Sequence, residues 1–248
     1  MYNYTTNGIY TLSKYYHIGK RRGNMERQID AKLLGWKKNE FRKPLIIRGA
    51  RQVGKTFSVS SFGENHFEAF IKIDFERDRT SHKIFEGDLS AKRLVSELEI
   101  HANKMIIPGK TLLFFDEIQE CERALLSLRY FYEEMPELHI IAAGSMLEFT
   151  LGSISFPVGR VSFEWMRPMT FHEFLIASDR KILADKLPSI SNFKPISETI
   201  HLKILKQLKL YFLVGGMPEA VKRYYRTGSL SQSFTVHEEI FQSYLQSL

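Results

Sequence analysis

One cysteine, Cys121, stands in 248 residues. No disulfide can form within the chain, and a reducing, cytoplasmic setting is the expectation. Long apolar runs are missing too: none approaches the roughly 18 residues that a membrane helix needs. The opening MYNYTTNGIYTLSKYYHIGKRRGN carries polar and charged residues where a secretory leader has an apolar stretch. Neither export nor a membrane partner is expected. The eight histidines are scattered, and His172-Glu173 has no second histidine three residues on. That fails the pattern of a zinc protease, and no metal other than Mg²⁺ is expected. Compositional bias is absent: 44% apolar and 25% charged residues are ordinary globular values. This excludes a disordered, collagen-like or coiled-coil chain. There is no internal repeat and no low-complexity tract.

The net charge of +7 has one source. Residues 1–43 hold ten Lys or Arg against three acids, and the remaining 205 residues balance. A basic surface spread over a whole fold is therefore not indicated. The basic arm reads first as a solvated segment and second as a nucleic-acid contact.

Strand and helix patterns alternate along the first two thirds. PLIIR (44–48) is a short apolar run, and FSVSSF continues as a helix after the intervening loop. FEAFIKIDFE (67–76) reads as a strand. LSAKRLVSELEIHANKM (89–105) has helical spacing and breaks at Pro108-Gly109. TLLFFDE (111–117) is a strand buried on both faces. CERALLSLRYFYEEM (121–135) is a helix, whose Tyr130, Phe131 and Tyr132 read as packing residues. LHIIAAGS (138–145) is the next strand, and VSFEWM (161–166) alternates as a fifth. Such alternation implies an α/β fold with a parallel sheet covered on both faces. From about residue 171 the patterns FHEFLIA, HLKILKQLKLYFLV and VHEEIFQSYLQSL all read as helices, with GGMPEA (215–220) as a break. A helical subdomain after the α/β core follows.

Gly49-Ala50-Arg51-Gln52-Val53-Gly54-Lys55-Thr56 fits G-x-x-x-x-G-K-[ST] at every fixed position. It follows a strand pattern and opens a helix pattern, the context that a phosphate loop requires. Glycines let backbone N–H groups turn toward phosphate oxygens, and the helix start adds its positive end. Lys55 is placed to reach β- and γ-phosphates, and the Thr56 hydroxyl to bind Mg²⁺. Asp116 ends the run Leu112 to Phe115, where a second metal anchor belongs. Glu117 beside it can act as general base on an attacking water, which favours hydrolysis over transfer to a small acceptor. Asp116-Glu117-Ile118-Gln119 is not the D-x-x-G of a GTPase, and no N-K-x-D guanine reader is present. ATP is the expected nucleotide.

GARQVGKT, LLFFDEIQE, IIAAGSMLE, FPVGR, RPMTFHEFL and VGGMPEAV occur in this order from about Met25 to Val221. Together they resemble the bacterial and archaeal AAA-like P-loop ATPases that pair an AAA_14 domain with a carboxy-terminal DUF4143 domain. The resemblance implies an ASCE-type sheet with the fourth strand between the loop strand and the Walker B strand. It implies that Ser145 takes the sensor 1 position. It also makes Arg160 a candidate to stabilise transferring phosphoryl charge, from its own chain or a neighbouring one.

The expected division is an extension at 1–24, disordered or untranslated, an ATPase core at 25–170, and a helical region at 171–248. That last region is expected to lack most of the DUF4143 domain. Ile240, Phe241, Tyr244, Leu245 and Leu248 share one helical face, expected to stay exposed as a sticky surface. The leading reading is a Mg²⁺-dependent ATPase whose hydrolysis drives a conformational change. Self-association and a protein or DNA client are its expected partners. The alternative is a nucleotide-gated binding module, DNA-associated, with little turnover. A third reading, a small-molecule kinase, is disfavoured by the Asp116-Glu117 pair.

Overall fold

A computed structural model describes residues 26–145, 159–187 and 196–246. The expected extension at 1–24, the segment Pro157-Val158 and Leu248 lie outside these. The described residues fall into two compact units, Ile29–Arg167 and a second that gathers residues up to Gln28 with those from Pro168 onward.

The first unit opens with α1 (Gln28–Lys38), whose greater part belongs to it. Asp30 lies in the first turn of α1 and Lys37 and Lys38 in the last, signs that suit the helix dipole. The chain then runs β1 (Leu45–Arg48), α2 (Lys55–His66), β2 (Ala69–Asp74), α3 (Ala91–Ala102), β3 (Thr111–Asp116), α4 (Glu122–Glu134), β4 (His139–Gly144) and β5 (Ser162–Trp165). The five strands form one parallel sheet in the order β2-β3-β4-β1-β5. The fourth strand thus separates the loop strand from the strand ending in Asp116, as the resemblance implied.

Strand alternation sends Ile71, Ile73, Leu113, Phe115, Ile140 and Ala142 to one face. There they pack with Leu94, Leu98, Leu125 and Leu128 of α3 and α4. The other face meets α2, where the approach is close. A Cβ on Gly63 would lie 2.3 Å from the Phe70 ring, so helix and sheet meet at this distance only because residue 63 has no side chain. Every residue of β3 and β4 is buried, which is what two covered faces demand. The α/β class with helices on both faces holds.

Local limits differ from the sequence pattern. α3 stops at Asn103, whose left-handed backbone (φ 50°) ends the helix well before Pro108. A 3₁₀ helix, Arg79–Phe85, was not foreseen; the Asp78 carboxylate accepts from the N–H groups of Thr80 and Ser81 at its start.

The second unit holds α5 (Phe171–Ala177), α6 (Lys181–Lys186), α7 (Glu198–Val214), α8 (Pro218–Thr227) and α9 (Leu230–Leu245). GGMPEA is a break only from Gly215 to Met217. Pro218 sits at the first turn of α8, where its missing N–H costs nothing. Met169, Phe174, Leu210, Val214, Val221 and Tyr224 form the core of this unit. Glu173 is its polar anchor. Its carboxylate accepts from Arg27 Nε at 3.0 Å and from the N–H groups of Gln28 and Thr170, each at 2.7 Å. The shared face expected on the last helix divides: Ile240 packs with Val236 and Ala220, while Phe241, Tyr244 and Leu245 are exposed. Among the described residues no helix is long and apolar enough to cross a membrane.

Candidate functional site

The loop between β1 and α2 is pinned where it begins. Met166 N–H donates to Arg48 O at 2.8 Å, carrying the ladder past the end of β5. A Cβ on Gly49 (φ 150°) would lie 2.0 Å from Met166 O, so no other residue passes that point. Gln52 and Gly54 both take positive φ, 62° and 96°. Val53 is fully buried and anchors the loop, while Ala50 and Gln52 are exposed at its lip and Arg51 is half-buried. Positive φ at Gln52 and Gly54 is the kind of backbone in which successive N–H groups can face one centre, as in an anion cradle.

Lys55 opens α2 with its side chain buried. Its ammonium donates to Gly49 O at 2.8 Å and Ala50 O at 2.9 Å, so it spans the loop from below. Burial draws its pKa below the usual lysine value; the carboxylates of Glu117 and Asp116 oppose that shift and Arg51 adds to it.

Thr56 follows on the same turn. Its hydroxyl donates to Asp116 Oδ2 at 2.9 Å. Two residues 60 apart in sequence thus meet at the carboxyl end of β3, beside the start of α2. Both present hard oxygen donors, the chemistry that suits Mg²⁺. No group of three or more His, Cys, Asp or Glu among the described residues is arranged to hold a metal.

Glu117 sits in left-handed backbone (φ 49°, ψ 47°), a sparse region for a residue with a side chain. Its Oε2 accepts from Gln119 Nε2 at 2.7 Å and from the Ser145 hydroxyl at 3.3 Å. Ser145 comes directly after β4, so the sheet order brings it to Glu117. Lys55, Thr56, Asp116, Glu117 and Ser145 therefore converge at the carboxyl edge of the sheet.

Arg160 does not join them. It precedes β5, at the amino end of the strands, and its Nε pairs with Glu133 Oε1 of α4 at 2.8 Å. Parallel strands put their starts and ends on opposite edges, so the structure places Arg160 at the edge away from the loop of its own chain. Three neighbours went unread in the sequence. Gln119 is one. Lys72 and Asp74 of β2 are the others, with Lys72 Nζ 2.8 Å from Asp116 Oδ2. Alternation in AFIKID already placed both on one face; what the sequence does not carry is the register that brings that face to Asp116.

The strand order, loop and acidic pair define a P-loop NTPase. Residues 41–175 match the AAA_14 model, described as an AAA domain, and the chain belongs to that family. Its fold is similar to the Walker-type ATPase PABY2304 of Pyrococcus abyssi, with TM-score 0.53 and 18% identity over 95% of this chain and 77% of that one. Weaker likenesses are found to C. elegans PCH-2 and to Drosophila ORC bound to DNA, each 13% identical. The first has TM-score 0.41 over 98% of this chain and 69% of that one. The second has TM-score 0.44 over 95% and 66%. No curated protein matches the chain.

Proposed function

We propose that the chain binds and hydrolyses ATP with Mg²⁺ and couples turnover to a conformational change. The observation that carries this reading is the meeting of Thr56 and Asp116 at 2.9 Å beside a buried Lys55 and a constrained Glu117. In this reading the loop from Gly49 to Thr56 binds the triphosphate through its N–H groups. Lys55 leaves the Gly49 and Ala50 carbonyls to neutralise the β- and γ-phosphates. Thr56 and Asp116 hold Mg²⁺, which when bound would neutralise phosphate charge. Glu117 takes the proton of the attacking water. Ser145 orients that carboxylate through its hydroxyl.

A second reading has its own support. Glu117 Oε2 is held by Gln119 and Ser145, so only a water that reaches its other oxygen can be activated. A chain in which that water is seldom seated is a nucleotide-gated module with slow turnover, which serves a protein or DNA client by holding ATP.

Binding of a fluorescent ATP analogue and steady-state phosphate release separate the readings. Lys55→Ala is expected to lose analogue binding. Glu117→Gln is expected to keep binding and lose release about a hundredfold or more. Parent-rate release by Glu117→Gln defeats the general-base assignment. Tight binding with no measurable release by the parent chain favours the gated module.

A further inference from the structure

The carboxylate assigned to Mg²⁺ is already paired with a cation of the chain's own. β2 and β3 run in parallel with Lys72 opposite Phe114 and Asp74 opposite Asp116. Directly opposed residues share a face of the sheet, and Lys72 shares that face with Asp74 two positions on. Two carboxylates therefore stand side by side, with one ammonium between them. Lys72 Nζ lies 2.8 Å from Asp116 Oδ2 and 3.5 Å from Asp74 Oδ2. The two acids differ in their access to water. Asp116 has 3% of its side chain exposed and Asp74 has 20%. A carboxylate as buried as Asp116 needs a compensating charge. Lys72 provides it, together with the Thr56 hydroxyl, and both bonds fall on the oxygen Oδ2. A divalent cation taken by Asp116 meets the ammonium at the same carboxylate, and the two repel. Lys72 has somewhere to go, because Asp74 is within reach of a small rotation of its flexible stem. Arg77, the other cation near Asp74, is 3.8 Å away and mostly exposed, so it competes weakly.

Resting on the nucleotide reading above, we infer that Lys72 is a tethered counter-ion that moves from Asp116 to Asp74 when Mg²⁺ and nucleotide bind. It thereby sets the Mg²⁺ concentration at which the site fills. Lys72 is a positioning residue: it acts through Asp116 and need not touch nucleotide.

The test measures metal dependence rather than turnover. A fluorescent ATP analogue is held constant and free Mg²⁺ is titrated against the full-length parent, Lys72→Met, Asp74→Asn and Lys104→Met. Lys72→Met is expected to lower the Mg²⁺ midpoint about tenfold, because the competing cation is gone. Asp74→Asn is expected to raise it a few-fold, because the lysine loses its landing place. Lys104, which bonds the Phe70 carbonyl, removes an equal charge away from Asp116, and its variant should keep the parent midpoint. Calorimetry with Mg²⁺ alone should show tighter binding to Lys72→Met than to the parent. An unchanged or raised midpoint in Lys72→Met, with normal analogue binding by the parent, overturns the role of Lys72 and leaves the nucleotide reading standing. If Lys72→Met does not fold, Asp74→Asn decides, and a midpoint at or below the parent's overturns the inference. A parent that binds no analogue at any Mg²⁺ concentration overturns the nucleotide reading, and the counter-ion role with it.

Discussion

Asp116 and Glu173 are buried almost equally, at 2% and 3% exposure, yet they are held in different ways. Glu173 accepts from two backbone N–H groups, of Gln28 and Thr170, and from the buried guanidinium of Arg27. Two of these donors are fixed by the backbone. Asp116 accepts only from side chains in the contacts described above, the hydroxyl of Thr56 and the ammonium of Lys72. Both can rotate away. A carboxylate fastened to backbone makes a joint, whereas one fastened to rotatable groups makes a site that can exchange partners.

The largest expected effect tests the joint. Glu173→Gln strips Arg27 of its buried carboxylate and weakens the Thr170 capping box, and should cost about 3–5 kcal/mol of stability. Chemical denaturation measures it. A loss under about 1 kcal/mol would show that the charge of Glu173 does little at this joint, and the contrast with Asp116 would fade.

A second test uses pH and a third buried group. His139 opens β4 with Trp36 and Phe67 edge-on to its ring at 5.6 and 4.9 Å. Burial first, and the charges of Arg42 and Lys37 after it, bring its pKa down to about 4. In the unfolded chain the ring titrates near the ordinary value of about 6.5. Between the two values the unfolded state binds the proton and the folded state does not. The contribution of His139 is therefore complete above about pH 6.5 and is lost as pH falls toward 4. The unfolding free energy from chemical denaturation should drop over that window by as much as ~3 kcal/mol. His139→Phe should flatten the drop, and a variant with the parent's slope would locate the titrating group elsewhere.

The smallest effect concerns Arg160. Its pair with Glu133 is half exposed, so Arg160→Ala should change stability by less than about 1 kcal/mol. Any catalytic role must come from a neighbouring copy. Mixing Arg160→Ala with Lys55→Ala chains should then restore phosphate release, and no rescue on mixing leaves Arg160 a surface residue.

Gly49 to Thr56 and the pair Asp116-Glu117 are contiguous, and their chemistry depends on local spacing, so they were legible before any fold was known. The strands were legible for a similar reason: LLFFD and HIIAAG can be buried on both faces only in a covered sheet. Lys72 was not, because nothing in AFIKID says which strand lies beside it. Glu173 left a trace that was missed. Thr170-Phe171-His172-Glu173 has the T-x-x-E spacing of a capping box, which both required bonds complete. The short helices α6 and α8 carry too few turns for a periodic signal, and Pro218 reads as a breaker unless its place at a helix start is recognised.

Gly63 and Phe70 have a consequence for descent. The ring fills the space that a side chain at 63 would need, so the two positions hold one volume between them. Neither can enlarge alone without pushing α2 off the sheet and carrying Thr56 away from Asp116. Relatives with alanine or serine at the first position should carry a smaller residue at the second. Exchange across this pair is the route by which the helix can change its seat while the spacing of the phosphate loop survives.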